Sequence, residues 1–279
     1  MLQSLLRAAD EGGYAIPAFN FTDIWDFLAI VEAAEEERAP IMISANYLVT
    51  DVLSPEICGA IGAAAAAKAS VPLVLHLDHS MSVEQCKKSI DCGYPSVMFD
   101  GSKQPLEENI RLTKEVVDYA HARDAFVEAE TGKIRGRSIE GEYVDGAFLT
   151  EVEDAIELTE ATGADSLAVG IGTAHGFYKG KPEINFERLA EVNEAVSVPL
   201  VLHGGTGVSE EDIRKAIKHG INKVNVGTVI YTTYMNGMRR ELIRRGEDQL
   251  VVDVVKPVLE ELKAIVRGWI KVCMADGKA

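Results

Sequence analysis

The stretch "VPLVLHLDHS", residues 71–80, joins an apolar run to three titratable side chains at its end. The run of Val and Leu predicts a strand over residues 71–78, and a parallel strand that is buried on both faces is normally apolar throughout. His76, Asp78 and His79 depart from that rule. Because burying a charged group without a partner is costly, they predict an ion pair, a metal site or a reaction centre where this strand ends.

The rest of the chain repeats this strand pattern between amphipathic segments. Eight strands are predicted, at residues 14–20, 40–46, 71–78, 96–101, 125–130, 166–172, 199–205 and 221–228. Helical patterns lie between them, and several begin with Ser or Thr and end with Gly, as capped helices do. Eight strand and helix units in a chain of this length predict an α/β fold, a closed (β/α)8 TIM barrel, with a doubly wound open sheet as the alternative.

Composition sets the broad class. No linker or shift in composition divides the chain, so one domain is predicted over residues 1–279, with an extended C-terminal helix from the amphipathic segment 254–273. The net charge of -16 argues against a nucleic-acid or anionic-membrane surface. With no targeting segment and no apolar run of about 18 residues, a cytoplasmic location is expected. The four cysteines form no C-x-x-C pair and are predicted to be reduced.

Three histidines are predicted to meet at one end of the barrel. In such barrels the carboxyl ends of the strands and the loops after them form a single mouth. His79, His175 and His203 fall at the same end of the third, sixth and seventh predicted strands. One histidine at a strand end is usually structural, but three at one rim favour a metal triad, because neutral imidazoles suit zinc and catalytic zinc keeps one position for water or substrate.

Carboxylates accompany these histidines at the strand ends. Asp78 is the candidate for proton transfer, and the alternative is that it orients a neighbouring imidazole. Glu130 is a candidate further metal ligand, while Glu128 and Asp100 are candidates for hydrogen bonds behind the ligands. His76 shares a strand face with Asp78 two residues deeper, which predicts a core or supporting role.

Two glycine-containing turns suggest a phosphate site. "GGTG" (204–207) and "NVGT" (225–228) lie at the ends of the last two predicted strands and before helical patterns. Free amide groups and the positive end of a helix dipole bind anions, and TIM barrels often bind phosphate at this place. Asn20 and Asn46 add polar side chains at the ends of the first two strands.

One connection is unusually long. Residues 131–147 follow the fifth strand, where such loops commonly span ~2 to 6 residues. The segment is predicted to be a lid or a substrate loop, and a neutral insertion is the alternative.

Seven motifs are spread across nearly the whole chain: "YAIPAFN", "HLDH", "VMFDGS", "VEAETG", "GTAHGFYKGKPEINFERL", "VLHGGTGVSEEDIRKAI" and "INKVNVGT". In sequence and in order they resemble one family, the class II, zinc-dependent ketose-bisphosphate aldolases, which include fructose- and tagatose-bisphosphate aldolases. The match is nearer to the tagatose-type branch. The resemblance implies zinc, or another divalent ion, on His79, His175 and His203, and Asp78 as the acid/base at the C4 oxygen.

The resemblance also implies where the substrate binds. The zinc would hold the C2 and C3 oxygens of the ketose and stabilise the enediolate left by cleavage, and a monovalent cation, Na+ or K+, often lies nearby. The residues implied to bind dihydroxyacetone phosphate are Gly176, Gly204, Gly205, Thr206, Asn225, Val226, Gly227 and Thr228.

Several positions depart from the family pattern. Members usually carry an acidic pair in the loop after the fifth strand, which moves a proton at C3; here Glu140, or else Glu142, is the predicted replacement. Asn46 and Ser80 differ from common fructose-bisphosphate pockets. Arg239 is a candidate for a distal phosphate.

The cations of the long loop bear on the aldehyde end of the substrate. Lys133, Arg135 and Arg137 suggest an anionic end, phosphate or carboxylate, with a solvated charged loop as the alternative.

The predicted function is reversible cleavage of a phosphorylated ketose into dihydroxyacetone phosphate and an aldehyde. Three alternatives stay open: a class II aldolase with a different sugar or sugar-acid substrate, a metal-dependent epimerase or isomerase, and a non-catalytic sugar-phosphate sensor. The expected partners are a phosphorylated sugar and further copies of the chain, as a homodimer or homotetramer, with no nucleic acid and no membrane.

Overall fold

The computed structural model describes residues 2–132, 135–137, 143–144, 149–176, 182–246 and 250–279; for residues 135–137, 143, 144 and 175 only the main chain is described. The strands are β1 (Ile16–Asn20), β2 (Ile41–Asn46), β3 (Leu73–Ser80), β4 (Ser96–Phe99), β5 (Phe126–Thr131), β6 (Arg135–Arg137), β7 (Tyr143–Val144), β8 (Ser166–Val169), β9 (Ala174–His175), β10 (Leu200–Leu202) and β11 (Ile221–Val226). Eight of them close a parallel barrel in the order β1-β11-β10-β8-β5-β4-β3-β2. The predicted barrel is confirmed, and the open sheet is excluded.

Helices surround this barrel. They are α1 (Leu2–Gly12), α2 (Ile24–Glu37), α3 (Tyr47–Leu53), α4 (Pro55–Lys68), α5 (Val83–Asp91), α6 (Leu106–His121), α7 (Val152–Thr162), α8 (Phe186–Ala195), α9 (Glu210–Lys218), α10 (Thr228–Arg245) and α11 (Val251–Val272), and residues Gly205–Gly207 form a 3-10 turn. The extended C-terminal helix is α11, which packs against α2 and α10.

Local sequence explains several helix ends. Asp23 caps α2 by accepting hydrogen bonds from the amides of Trp25 and Asp26, and the Asp26 carboxylate accepts one from the Asp23 amide. Ser209 caps α9 in the same way. Gly163 ends α7 at a φ of 70°, a left-handed conformation that costs glycine little.

The strand boundaries differ from the predicted ones where the site lies. The predicted strands 166–172 and 199–205 end early, at Val169 and Leu202, because the chain there leaves the ladder for loops and the 3-10 turn. The predicted strand 71–78 instead continues to Ser80. His79 is therefore part of β3 and does not follow it.

The helices after β2 cover one side of the barrel. In the Ala-rich α4, a Cβ added at Gly62 would lie 2.7 Å from Cδ2 of Leu75, so glycine permits close packing on β3. Among the described residues no single helix is long and apolar enough to cross a bilayer, although α3 and α4, bent by 98°, meet a test of length and composition as a pair.

Candidate active site

An irregularity at the end of β3 brings two adjacent side chains to the same place. Neighbouring residues of a regular strand point to opposite faces. Here the pairing of β3 with β4 shifts between Leu77 and Ser80, and His79 has a φ of 51°, which is uncommon for a residue other than glycine. As a result both Asp78 and His79 line the cavity at the mouth of the barrel. Such strain persists where the surrounding structure enforces it, which is common at functional sites.

Asp78 is held from two sides by amide groups. Nδ2 of Asn20 donates to its Oδ2 at 2.7 Å, and Nδ2 of Asn225 donates to its Oδ1 at 3.1 Å. Burial disfavours the carboxylate, but His79, His203 and Lys223 together with the Asn20 bond lower the pKa of Asp78 below its ordinary value. Asp78 is therefore ionised at neutral pH and able to accept a proton.

His79 lies among carboxylates. Its Nδ1 is 3.0 Å from Oδ2 of Asp100 and 3.7 Å from Oε2 of Glu130. Burial opposes the imidazolium, yet Asp78, Asp100 and Glu130 raise the pKa of His79 to about 10. Burial and the nearby Asp100 raise the pKa of Glu130 well above its ordinary value. Three carboxyl groups around one imidazole, one of them kept from ionising by burial and by its acidic neighbours, suit a cation at this place.

His203 completes the cluster from the other side of the mouth. Its ring lies 4.5 Å from the His79 ring, measured between centroids. Its Nε2 is 2.8 Å from Oε1 of Glu128, and its Nδ1 is 3.1 Å from Nδ2 of Asn225. Because an ionised carboxylate only accepts hydrogen bonds, Nε2 carries the proton and Nδ1 keeps its lone pair.

These side chains fit a divalent ion. One ligand atom each from Asp78, His79 and His203 lie within 4.8 Å of one another, and the same holds for His79, Asp100 and Glu130. Within the described residues, Oε2 of Glu130 is buried and receives no hydrogen bond. Imidazole nitrogens and carboxylate oxygens are the donors that zinc takes in proteins. The main chain of the predicted third histidine ligand, His175, is described in β9, and its side chain lies outside the described residues.

A cavity of about 580 Å³ opens above this cluster. It brings together most of the predicted site residues, namely Asn20, Asn46, Asp78, His79, Gly176, His203, Gly204, Thr206, Asn225, Gly227 and Thr228. We call Asp78, His79, His203 and Asn225 the polar wall. Helix α3 contributes Leu48, Val49 and Val52 to the lining, which we call the apolar wall.

Other predicted residues lie elsewhere. Val226 and Gly205 are buried and do not line the cavity, since Val226 lies on the face of β11 opposite to Asn225. Arg239 is exposed on α10 and lines a separate surface depression with Asn236 and Ile243, so within this chain it does not reach the cavity. Its predicted role at a distal phosphate receives no support from one copy of the chain.

Some predicted residues cannot be placed. Glu140, Glu142 and Lys133 lie outside the described residues, and Arg135 and Arg137 are described only by their main chain. The predicted proton transfer by the loop carboxylate and the predicted lid cations therefore stay predictions.

The two predicted phosphate turns differ. Residues 225–228 lead directly into α10, whose N-cap is Gly227 and has no side chain to occupy the helix end. Residues 205–207 form a 3-10 turn, and α9 begins only at Glu210 with a Ser209 cap and three acidic residues in its first turn. An anion is therefore favoured at the α10 end and disfavoured at the start of α9.

A small sheet lies beside the site. Strands β7, β6 and β9 form it, with Arg135 paired to Ala174 and Gly136 paired to His175. Gly204 approaches the same segment, since a Cβ there would lie 2.3 Å from the carbonyl oxygen of Ala174, and its φ is 73°. The segment after β5, the segment of His175 and the turn after β10 are thus adjacent through main-chain contacts.

Sequence reasoning missed several residues of the site. Tyr231 lines the cavity three residues after Thr228, a spacing that puts both on one face of α10. Lys223 is 1% exposed and pairs with Glu128 at 2.6 Å. Its signal was available: a lysine inside an apolar strand, two residues before Asn225 and on the same strand face. Nothing in the sequence of the apolar wall marks its residues as part of a site.

Comparisons with known proteins agree with this geometry. The family model described as fructose-bisphosphate aldolase class-II matches residues 1–278. The structure is similar to that of the YdjI aldolase from Escherichia coli K12, at 36% identity and a TM-score of 0.89, covering 100% of this chain and 98% of that one. It is also similar to a putative fructose-1,6-biphosphate aldolase from Coccidioides immitis, at 33% identity and a TM-score of 0.88, covering 99% and 96% of the two chains.

A more distant structure shares the fold. The fructose-bisphosphate aldolase from Campylobacter jejuni is 22% identical, with a TM-score of 0.79 and coverage of 100% of this chain and 95% of that one. With a barrel of the same architecture, a cluster of imidazoles and carboxylates at its mouth and a family match over almost every residue, the chain belongs to the class II fructose-bisphosphate aldolase family and is an aldolase.

Proposed function

We propose that this aldolase depends on a bound divalent metal, preferably zinc, and reversibly cleaves a phosphorylated ketose into dihydroxyacetone phosphate and an aldehyde. The observation that carries the proposal is the buried cluster of Asp78, His79 and His203, with ligand atoms within 4.8 Å of one another at the floor of the cavity. His79 and His203, with Glu130 and the predicted His175, would hold the ion. When bound, such an ion supplies Lewis-acid stabilisation of negative charge that develops on the substrate.

Asp78 has the properties required of the base in the cleavage direction. It takes the proton from the C4 hydroxyl, the C3–C4 bond breaks, and C4 becomes the aldehyde carbonyl while the electron pair stays on the three-carbon fragment. A proton then returns to C3 of that fragment, which gives dihydroxyacetone phosphate. Asn20 and Asn225 each donate a hydrogen bond to one oxygen of Asp78, which fixes the orientation of the carboxylate toward the substrate hydroxyl.

The ketose phosphate is proposed to bind at the start of α10. Gly227, Thr228 and Thr206 line this side of the cavity, and Oγ1 of Thr206 accepts a bond from the Val229 amide at 3.3 Å. The helix dipole and the first-turn amides favour an anion there. A monovalent cation near this phosphate, a homodimer or homotetramer and a cytoplasmic location stay predictions from the sequence.

One observation favours a second candidate for the aldehyde. Beyond the polar wall, the described cavity lining contains Leu48, Val49 and Val52 and no Lys or Arg. A fructose or tagatose bisphosphate would bring a second phosphate, which is normally bound by such cations. Where the aldehyde end meets α3, the apolar wall favours an uncharged group, as in a ketose 1-phosphate whose aldehyde product is not glyceraldehyde 3-phosphate.

A substrate panel tests both levels of the proposal. Purified protein, stripped of metal and then reloaded with zinc, is assayed for dihydroxyacetone phosphate release from ketose 1-phosphates, ketose 1,6-bisphosphates and their uronate analogues. We expect activity that is lost with the metal and restored by zinc. Full activity in metal-free protein, or interconversion of sugar phosphates without triose release, would refute it.

A single substitution tests the proposed ligand set. His203→Ala removes a ligand, so zinc content measured by mass spectrometry should fall from about one ion per chain to near zero. His219→Ala is the matched control, because His219 lies on the outer layer, 5.7 Å from the Phe186 ring between centroids. Unchanged zinc content in the His203 variant would remove that residue from the ligand set.

A further inference from the structure

A buried ion pair lies directly behind His203. Nζ of Lys223 is 2.6 Å from Oε2 of Glu128, and Oε1 of Glu128 is 2.8 Å from Nε2 of His203. All three side chains are 1% exposed. Lys223 lies on β11, Glu128 lies on β5 and His203 directly follows β10, so the chain of contacts crosses the interior of the molecule.

His76 contacts the same ion pair, since its Nε2 is 3.8 Å from Oε2 of Glu128. Nζ of Lys223 is 3.5 Å from Nε2 of His76, and Nδ1 of His76 is 2.8 Å from Oγ of Ser96. An ammonium group only donates, so Nε2 of His76 faces it as an acceptor and Nδ1 donates to Ser96. The ammonium thereby contacts both an imidazole and a carboxylate.

The arrangement gives the two oxygens of Glu128 separate tasks. Lys223 occupies Oε2, which leaves Oε1 to accept the Nε2 proton of His203. A fully buried lysine is rare, because removing its ammonium group from water costs free energy that only a close partner of opposite charge can offset. A pair of apolar residues would fill the same space without that cost. The pair is therefore explained better by what it does to His203 than by stability.

We propose that Lys223 is a positioning residue for the metal site: it orients the Glu128 carboxylate, which fixes the ring and the tautomer of His203 so that Nδ1 is presented as the metal ligand. This inference rests on the proposed function, since it assumes that His203 binds the ion. Carboxylates that receive the second N–H of a ligand histidine raise metal affinity, and their loss typically weakens binding about 10- to 100-fold.

Two variants test whether Lys223 orients the Glu128 carboxylate or only neutralises its charge. Lys223→Met keeps the length of the side chain and removes the ammonium, but it leaves Glu128 buried without its cation, which endangers folding. The double variant Lys223→Met/Glu128→Gln removes both charges. A glutamine amide offers a donor as well as an acceptor, so it does not select one tautomer of His203.

The measurements are metal affinity and metal environment, neither of which needs turnover. Zinc affinity is obtained by competition with a chromophoric chelator, and the site is examined by the visible absorption of the Co²⁺ protein. Both variants are expected to bind zinc about 10- to 100-fold more weakly than the wild type and to show an altered Co²⁺ spectrum. The metal-free double variant should unfold at a higher temperature than metal-free Lys223→Met.

Lys263→Met is the matched control. Lys263 is 8% exposed and contacts Glu32, Glu36 and Glu260 on the outer layer. It should lose stability without losing zinc affinity. Wild-type zinc affinity or a wild-type Co²⁺ spectrum in the double variant overturns the positioning role and leaves a structural ion pair. If the wild-type protein binds no metal, the proposed function falls as well.

Discussion

The two walls of the cavity are built in opposite ways. The polar wall is assembled from β3, β11 and the residue that follows β10. Every one of its side chains touches another member or a supporting group, as Asn225 touches both Asp78 and His203. The apolar wall comes from one short helix, α3, and Val52 is 84% exposed. In the polar wall each side chain is fixed by several neighbours, whereas in the apolar wall Leu48 and Val52 are exposed and only Val49 is buried.

This difference predicts a division of labour. Chemistry needs groups held within fractions of an ångström, which interlocked hydrogen bonds and buried charges provide. Selection among aldehydes needs only a surface of suitable polarity and shape. Substitutions in the polar wall should therefore change the rate constant of the reaction, and those in the apolar wall should change the preference among substrates.

The largest effect is expected for Asp78→Asn. The amide has the shape of the carboxylate but cannot accept the C4 proton, so kcat for ketose cleavage should fall roughly 10²- to 10⁴-fold. Zinc content should stay at the wild-type level, which distinguishes this variant from loss of a ligand. Cleavage at the wild-type rate would show that the base is another group.

An intermediate effect is expected where the polar wall meets the phosphate end. In Gly227→Ala the new Cβ would lie 2.8 Å from Oδ1 of Asn20 and from the hydroxyl of Tyr231. KM for the phosphorylated ketose should rise on the order of tenfold, equal to about 1.4 kcal/mol, with a smaller fall in kcat.

Gly268→Ala is its control. A Cβ there meets nothing within 4 Å, and the residue lies inside α11. Steady-state kinetics of that variant should match the wild type, while its helix gains up to about 1 kcal/mol of stability. Equal KM values for Gly227→Ala and the wild type would place the phosphate elsewhere.

The smallest effect is expected in the apolar wall. Val52→Lys adds a cation at the rim, and an exposed charge pair is worth about 1 kcal/mol at most. In the condensation direction, the ratio of kcat/KM for an anionic aldehyde over a neutral one should rise by up to about fivefold, with kcat nearly unchanged. Val251→Lys, at a site 61% exposed at the start of α11, should leave the ratio alone. A large fall in kcat for Val52→Lys would contradict the proposed division between the walls.

The sequence predicted the barrel and much of the polar wall because both leave local signals. Apolar strands alternate with amphipathic helices, and the polar residues that end those strands must meet at one mouth. The conformation of His79 could not be read in this way, since a positive φ in a non-glycine residue is imposed by the shifted pairing of β3 and β4. The register of three strands likewise decides that Lys223 meets Glu128 behind His203.

Two other outcomes depended on tertiary placement. Arg239 carried the right charge for a phosphate, but it is exposed in the middle of a long helix whose beginning, and not its middle, borders the cavity. The apolar wall arises because α3 folds over the mouth, and the letters "YLVTDVL" alone fit a buried helix equally well.

The main-chain pairing of Arg135 with Ala174 and of Gly136 with His175 has a consequence for protein engineering. Two loops that are distant in sequence form one hydrogen-bonded ladder, so neither can be exchanged between homologues as an independent cassette. A chimera that takes the segment after β5 from a homologue should also take the segment around β9. Otherwise the new β6 would have to pair with a β9 strand from another protein, whose register need not match.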